Sequence, residues 1–339
     1  MEQEQLRRRK RPGKTVLLLT AVGILVLLAG GYLLGSWLEN SSREADSLGD
    51  YNDRYRYSAM LKLDGQSYRQ KGSVTTLLLM GIDQVSDEER KTPYRSGGQA
   101  DFLRLLVIDR TEKTVVQIPI DRDTITPIRI LTVLGEEDGT REEHISISHS
   151  FGDGKEQSGE LTRRAVSELF LGARIDFWVA MSMDGIAAFN DMLGGVAVTL
   201  EDDLTQFDPA WQPGTTVILS GEQAFNYLHS RMSVGDGSNA SRMRRQQAYI
   251  SEAAKLLQIK AQDDADFVGR LFDSLTPYLS SNIGRANLVN LALLSRDFDR
   301  TLREIPGEHG RDADGFTAFY YDKDAVRQMA LELLFTPME

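Results

Sequence analysis

The 339-residue sequence contains no cysteine. This absence excludes zinc-thiolate sites, disulfide scaffolds and cysteine nucleophiles. Histidine is scarce as well: the four histidines have no HExxH spacing, and no G-x-S-x-G segment occurs. We interpret His149, between two serines, as a surface or core residue rather than a catalytic base. Aspartate and arginine therefore remain as the main candidates for chemistry.

Positive charge is confined to a few places. Residues 1–14 contain six basic and two acidic residues, a net charge of +4, whereas the whole chain carries −11. The remainder is therefore at −15, and such an acidic domain is repelled by a nucleic-acid backbone. We expect no nucleic-acid partner, and an anionic substrate would need a local basic cluster.

A run of 24 uncharged residues, from Thr15 to Leu38, predicts a single transmembrane helix. The basic residues precede it and acidic residues follow it, so the positive-inside tendency places the N-terminus in the cytoplasm and the bulk of the chain outside the cell membrane. The alternative is a cleaved signal peptide, whose apolar region is usually shorter.

The rest of the chain indicates one large α/β domain. Residues 39–72 are interpreted as a stalk and an accessory hairpin with an Asp64-Gly65 turn, and residues 73–339 as the extracellular catalytic domain. Apolar runs predict strands at 74–81, 101–109 and 114–120, and helical patterns appear near 160–170, 241–259, 264–279, 285–299 and 323–335. Their alternation predicts an α/β fold, an α-β-α sandwich around a central mixed sheet, preceded by the transmembrane helix.

The segment from Tyr227 to Gln247 concentrates basic side chains in this acidic domain. It contains His229, Arg231, Arg242, Arg244 and Arg245 around a glycine-containing loop. Arg242 and Gln246 are spaced i, i+4 and share one helix face. Arginine suits phosphate because its planar fork donates two parallel hydrogen bonds. A solvated, charged helix start is the structural alternative.

Carboxylates follow or open the predicted strands. Asp83 ends one strand, Asp101 opens the next, and Arg122-Asp123 comes directly after a third. Carboxylates at the rim of an α/β sheet can hold a hard cation such as Mg²⁺ together with substrate phosphate, although any single one could be a turn or cap residue. Together with the arginines they match the requirements of metal-assisted phosphoryl transfer.

From about Val74 to Ile250 the chain resembles the LytR-CpsA-Psr family of bacterial cell-wall phosphotransferases. Six blocks carry the resemblance in order. They are Gly81-Ile82-Asp83, Asp101, Arg122-Asp123-Thr124, Asp184-Gly185 with Leu193-Gly194-Gly195-Val196, the set Leu219, Gly221, Ala224, Tyr227, His229 and Arg231, and the set Arg242, Arg245, Gln246 and Gln247. The single N-terminal span is also typical of the family.

The resemblance implies a phosphotransferase. Such enzymes move an anionic glycopolymer, such as teichoic acid or capsule, from a polyprenyl-pyrophosphate carrier to a sugar hydroxyl of peptidoglycan, forming a phosphodiester. By this analogy Asp83 and Asp101 hold Mg²⁺, and Arg122, His229, Arg231, Arg242 and Gln246 bind the lipid pyrophosphate. Arg122, Arg231 and Arg242 also act in catalysis, and Asp123 orients Arg122 or takes the acceptor proton. Apolar sheet and helix faces cover the lipid tail, and the membrane anchor keeps the enzyme beside its donor.

The chain departs from the family at two points. His229 stands where the first arginine of the Y-x-R-x-R block is usual, and two residues separate Pro119 from Arg122 where I-P-R-D is common. A histidine offers no bidentate fork and is only partly charged at neutral pH. Two other hypotheses therefore stay open: a non-catalytic surface protein that binds or regulates wall polymer, and a polyprenyl-pyrophosphate pyrophosphatase with water as acceptor.

Overall fold

The computed structural model describes residues 60–83, 97–132, 136–230, 234–235, 237, 239–264, 267–295 and 298–338. The predicted tail at 1–14, transmembrane helix at 15–38 and stalk up to residue 59 lie outside this range. Within the described part of the chain, no helix combines the length and apolar character needed to cross a membrane.

The strands are β1 (Met60–Leu63), β2 (Gln66–Gln70), β3 (Val74–Asp83), β4 (Gln99–Asp109), β5 (Thr114–Ile120), β6 (Ile125–Leu131), β7 (Glu137–His144), β8 (Phe177–Ser182), β9 (Val196–Thr199), β10 (Thr216–Leu219), β11 (Leu279–Ser281), β12 (Asp299–Leu302), β13 (Gly307–Arg311), β14 (Thr317–Tyr321) and β15 (Phe335–Pro337). The helices are α1 (Glu156–Leu169), α2 (Asp184–Leu193), α3 (Gly221–His229), α4 (Asn239–Asp263), α5 (Phe267–Leu275), α6 (Arg285–Leu294) and α7 (Lys323–Leu334). Short 3₁₀ helices cover Ile145–Phe151 and Thr276–Tyr278.

The largest sheet of the described chain has the order β11-β8-β3-β4-β5-β12. β3, β4 and β5 form an antiparallel meander, whereas β8 is parallel to β3 and β12 is parallel to β5. The predicted central mixed sheet is confirmed. Because β8 runs parallel to β3, the chain must cross over between them, and α1 lies on that crossover.

Both faces of this sheet are covered, which explains the continuous apolar run of β3. Alternate residues such as Leu78 and Leu105 face a core that includes residues of α1 and α7. The intervening residues, such as Leu77 and Leu106, face a smaller core that includes Leu288 of α6. The sheet is therefore buried between helices on its two sides.

A third hydrophobic core joins α2, α3, α4 and α5 to the β9-β10 hairpin. Ser220 begins α3 as predicted, and it forms a capping box with Gln223. The helix ends at His229, and α4 begins at Asn239. The basic segment predicted from the sequence therefore includes the end of α3 and the start of α4, two helices that share one core.

The predicted hairpin is present, with positive φ at Asp64 and Gly65 between β1 and β2. β2 also pairs with β15, so the hairpin is joined to a strand from the far end of the chain. The predictions after residue 260 were partly wrong. The helices expected at 264–279 and 285–299 end earlier, at Leu275 and Leu294, and β11 and β12 then extend the central sheet.

Candidate active site

The site begins at an irregularity in the pairing of β3 with β4. Gly81 lies opposite Phe102 and Ile82 opposite Ala100, so Asp101 is an extra residue in β4. A bulge of this kind redirects a side chain and is frequent beside active sites. Asp83, the last residue of β3, lies opposite Gln99. The two aspartates predicted from the sequence therefore lie close together where β3 ends and β4 begins.

Asp101 is bound by two arginines from different elements. Arg242 of α4 donates from Nη1 to Oδ2 at 2.8 Å, and Arg122, just after β5, donates to Oδ1. The side chains of Asp101 and Arg242 are only 2% and 4% exposed. Arg122 also donates to the side-chain oxygen of Gln99. This buried carboxylate therefore fixes the positions of two guanidinium groups.

Asp83 pairs with His229. The His229 Nε2 atom lies 3.2 Å from Asp83 Oδ2, and the ring stacks on Phe225 at a centroid distance of 5.2 Å. The hydrogen bond with Asp83 raises the pKa of His229 above 6.5, against the opposing effect of partial burial. At neutral pH a larger fraction of this imidazole is therefore protonated than in a free histidine. This positive charge partly replaces that of the arginine usual at this position in the family.

Asp83, Asp101 and His229 each offer a ligand atom, and these atoms lie within 4.8 Å of one another. Two carboxylates fit Mg²⁺, which commonly binds proteins through one or two carboxylates and completes its shell with water and phosphate. Each carboxylate oxygen has two lone pairs, so an arginine on Asp101 leaves room for a cation. The donor set thus fits the predicted metal.

Asp123 lies behind Arg122 rather than in the open cleft. It is 5% exposed, with Oδ1 3.3 Å from Arg122 Nε and 3.8 Å from His144 Nδ1. His144 also contacts Asp312 at 3.0 Å, and the two carboxylates, Asp123 before Asp312, raise the pKa of His144. Of the two roles predicted for Asp123, its burial beside the guanidinium favours the orientation of Arg122.

The remaining predicted residues have different surroundings. Gln246 is buried, and its Nε2 lies 3.4 Å from the carbonyl oxygen of Leu228. Arg245 binds Asp202 at 2.7 Å and the carbonyl of Tyr227 at 3.1 Å, so it ties α4 to its neighbours. Arg231 lies outside the described residues, and its predicted role is untested.

Two cavities adjoin the site. A cleft of about 880 Å³ includes the polar side chains of Asp101, Arg122, Arg244 and Gln246 in its lining. A smaller, mostly apolar cavity of about 170 Å³ lies between β3, β8 and the helices α2 and α5. Phe102 and Gln246 border both cavities. A cleft that carries charged side chains and a mostly apolar cavity therefore lie side by side.

Two residues of the cleft, Arg104 and His309, were not predicted from the sequence. Arg104 could have been noticed as a charge within the apolar strand β4. His309 gave no such signal, because only folding brings its Nε2 to 3.0 Å from Asp121. His149, in contrast, is fully buried with Nδ1 2.6 Å from the carbonyl of Gly97, and burial lowers its pKa. It is a core residue that supports the start of β4.

The fold and the site define an α/β protein with a carboxylate–arginine centre suited to phosphate groups. The LytR_cpsA_psr family model matches residues 37–333. The chain belongs to this family.

Similar proteins and solved structures agree with this assignment. The chain is 27% identical over 332 residues to the Bacillus subtilis (strain 168) protein named polyisoprenyl-teichoic acid–peptidoglycan teichoic acid transferase TagU, covering 96% of this chain and 97% of that protein. The protein of the same name from Bacillus cereus (strain AH820) is 25% identical over 271 residues, 76% of this chain and 77% of that protein.

Among solved structures, B. subtilis TagV superimposes with a TM-score of 0.56 at 19% identity, covering 77% of this chain and 97% of that one. TagT bound to LI-WTA gives a TM-score of 0.55 at 21% identity, covering 77% and 90%. Protein gbs0355 from Streptococcus agalactiae gives 0.59 at 19% identity, covering 77% and 86%. At these identities the likeness establishes a common fold.

Proposed function

We propose that the protein transfers an anionic glycopolymer from a polyprenyl-pyrophosphate carrier to a sugar hydroxyl of peptidoglycan. The observation that carries this proposal is the buried Asp101 held between Arg122 and Arg242, beside Asp83 and His229. Two guanidinium groups converge on one carboxylate at the wall of a large cleft. Guanidinium groups are suited to phosphate because they donate two parallel N–H hydrogen bonds to its oxygens. The names of the TagU relatives describe a transfer of this kind.

In this proposal the arginines bind the pyrophosphate oxygens and stabilise the charge that develops as the bond to phosphorus breaks. The acceptor oxygen forms the new bond to phosphorus, the polyprenyl phosphate leaves, and the acceptor proton passes to a base. Asp83 and Asp101 would hold Mg²⁺, which supplies further neutralisation of phosphate charge. Asp123 keeps Arg122 oriented through the contact with its Nε.

The apolar cavity is the proposed site for the first part of the lipid tail. Its lining includes Leu79, Val179, Met183, Phe189 and Tyr249. At about 170 Å³ it is similar to an engineered cavity of ~150 Å³ that binds benzene, so it accommodates about one isoprene-sized group. Because Gln246 borders both cavities, a lipid seated here would present its pyrophosphate to the larger cleft.

The predicted helix at 15–38 would anchor the protein in the cell membrane with the catalytic domain outside. A lipid-linked donor is confined to the same surface, so anchoring raises the frequency with which enzyme and donor meet. This topology remains a proposal, supported by the charge asymmetry of the N-terminal sequence.

One observation favours a second candidate, a non-catalytic protein that binds or regulates wall polymer. His229 provides a single imidazole where two parallel donors are usual in the family, and it is engaged with Asp83. Such a protein would bind polymer without turnover, and its binding would survive neutral substitutions of the two aspartates.

The test uses the full chain in detergent with a polyprenyl-pyrophosphate glycopolymer and peptidoglycan, with and without Mg²⁺. We expect Mg²⁺-dependent formation of the phosphodiester. Arg242→Lys, which keeps the charge and loses the fork, should weaken donor binding roughly tenfold or more. Arg110→Lys is the matched control, because Arg110 is exposed at the opposite end of β4 and donates to the carbonyls of Gly72 and Ser73.

The alternative functions give different results in this assay. Binding without any turnover would indicate the non-catalytic protein. Release of free polymer and lipid phosphate, with nothing joined to peptidoglycan, would indicate the pyrophosphatase. A parent protein that neither binds nor converts the donor would contradict the proposal altogether.

A further inference from the structure

Arg104 is a buried cation without a carboxylate partner among the described residues. It lies in β4, is 5% exposed, and donates from Nη2 to the side-chain oxygen of Gln247 at 3.1 Å. Its Nε has no hydrogen-bond partner in the part of the chain that the structure describes, and the guanidinium lies 5.2 Å from the ring centroid of Phe102. Burial lowers the pKa of Arg104 to about 10, so it still carries its charge at neutral pH. Cations this deeply buried are normally paired.

Further polar groups without partners lie beside it. Ser251 lies one turn after Gln247 in α4 and is 3% exposed, and its hydroxyl oxygen makes no hydrogen bond to any described residue. Gln117 is completely buried, and within the described chain neither its side-chain nitrogen nor its oxygen is bonded. The register pairs Arg104 with Pro119, so Gln117 is on the same face of the sheet two residues away. Water could satisfy the neutral groups, but water does not neutralise a guanidinium.

The position of these groups connects them to the active site. Arg104 and Ser251 both line the 880 Å³ cleft that also contains Asp101 and Arg122. Arg104 follows Asp101 by three residues in β4, a separation of roughly 7–10 Å along the strand because Asp101 is the extra residue of the bulge. That distance exceeds a single pyrophosphate group and is comparable with one or two sugar units. A ligand bound at Asp101 can therefore extend to Arg104 without leaving the cleft.

We propose that Arg104, Ser251 and Gln247 form a second anion subsite, which binds one phosphate or carboxylate group carried on the sugar substrate. The inference rests on the proposed function for the source of the anion. The exposed carboxylates of Glu201 and Glu304 also line the cleft, so an anionic group is attracted to Arg104 more strongly than to the acidic parts of the wall. The subsite therefore favours a sugar unit that places an anionic group at this distance from the reacting phosphorus.

The first test separates the two anion sites with inorganic phosphate as the probe. Thermal unfolding and calorimetric titration are carried out on the full chain carrying Arg242→Ala, which weakens the site at Asp101. We expect phosphate still to bind and to raise the unfolding temperature. Adding Arg104→Met should weaken this binding tenfold or more. Lys255→Met is the matched control, because it removes an exposed cation of α4 one turn beyond Ser251.

Arg104→Met has a second expected effect that separates a ligand site from a structural role. Without phosphate, the variant should unfold at a higher temperature than its parent, because an apolar side chain replaces a buried charge that has no carboxylate partner among the described residues. A structural arginine would give a lower unfolding temperature. If phosphate binding persists unchanged in Arg104→Met, or if the variant is destabilised, the subsite is refuted.

The second test identifies the source of the anion. The transferase assay compares donors whose sugars carry a phosphate or carboxylate with donors whose sugars are neutral, and acceptors with and without carboxylates. A rise in KM of tenfold or more in Arg104→Met, seen only for the charged donor, assigns the subsite to the donor. The same rise with the charged acceptor alone assigns it to the acceptor. Equal kinetics with every pair would refute the subsite while leaving the proposed reaction intact.

Discussion

Asp101 should contribute much more to stability than Asp83, although both are proposed metal ligands. The Asp101 side chain is 2% exposed and contacts Arg242, itself 4% exposed, whereas Asp83 and His229 are 40% and 35% exposed. Breaking a buried ion pair costs about 3–5 kcal/mol, and asparagine keeps one acceptor oxygen, so we expect Asp101→Asn to lower the free energy of unfolding by about 3 kcal/mol. Asp83→Asn should lower it by less than about 1 kcal/mol.

The assay is thermal and denaturant unfolding of both variants at neutral pH in the absence of divalent cations. For a domain of this size, about 3 kcal/mol corresponds to a fall of roughly 6–12 °C in the unfolding temperature. Equal shifts for the two variants would refute the assignment of Asp101 as the partner that fixes both arginines. A stabilised Asp101→Asn would mean that repulsion between the two aspartates outweighs the arginine contacts.

Three further predictions follow from single contacts. Gly159→Ala should destabilise the fold by about 2 kcal/mol in denaturant unfolding, because a Cβ there would lie 2.4 Å from the ring of Trp178; an unchanged midpoint would mean that the ring moves aside. The free energy of unfolding should fall as the pH rises from 6.5 through the raised pKa of His144, since the charged ring stabilises the folded state through Asp123; His144→Gln should reduce this slope and leave the part that His229 contributes, and an identical slope in the variant would assign it elsewhere. His229→Arg should tighten pyrophosphate binding about tenfold in a calorimetric titration by restoring a bidentate donor, and an unchanged affinity would mean that the protonated imidazole already supplies the charge.

Local sequence patterns predicted parts of the fold and one helix face of the site. The apolar run that forms β3 and the Asp64-Gly65 turn are encoded by adjacent residues, and both were confirmed. Arg242 and Gln246 lie on one buried helix face, as their i, i+4 spacing indicated. These features depend on periodicity, which a single segment carries by itself.

The features that were not predicted depend on contacts between distant segments. β12 is a short strand of four residues with little apolar character, and it is defined by its pairing with β5 rather than by a pattern of its own. The bulge at Asp101 exists only as a mismatch between two strands. The proximity of His309 to Asp121 joins residues separated by 188 positions. No local rule can give such relations, because tertiary packing determines them.

The pairing of β2 with β15 has a consequence for the order in which the protein acquires its structure during synthesis. Gln66 donates to the carbonyl of Met338 at 2.6 Å, a contact between residues 272 positions apart. The edge of β2 that β15 covers must therefore stay unpaired until nearly the whole described chain has left the ribosome. Closing so long a loop is slow, and an uncovered strand edge invites association with other chains in the meantime. Nascent chains halted before Phe335 should consequently be more prone to aggregation than completed ones.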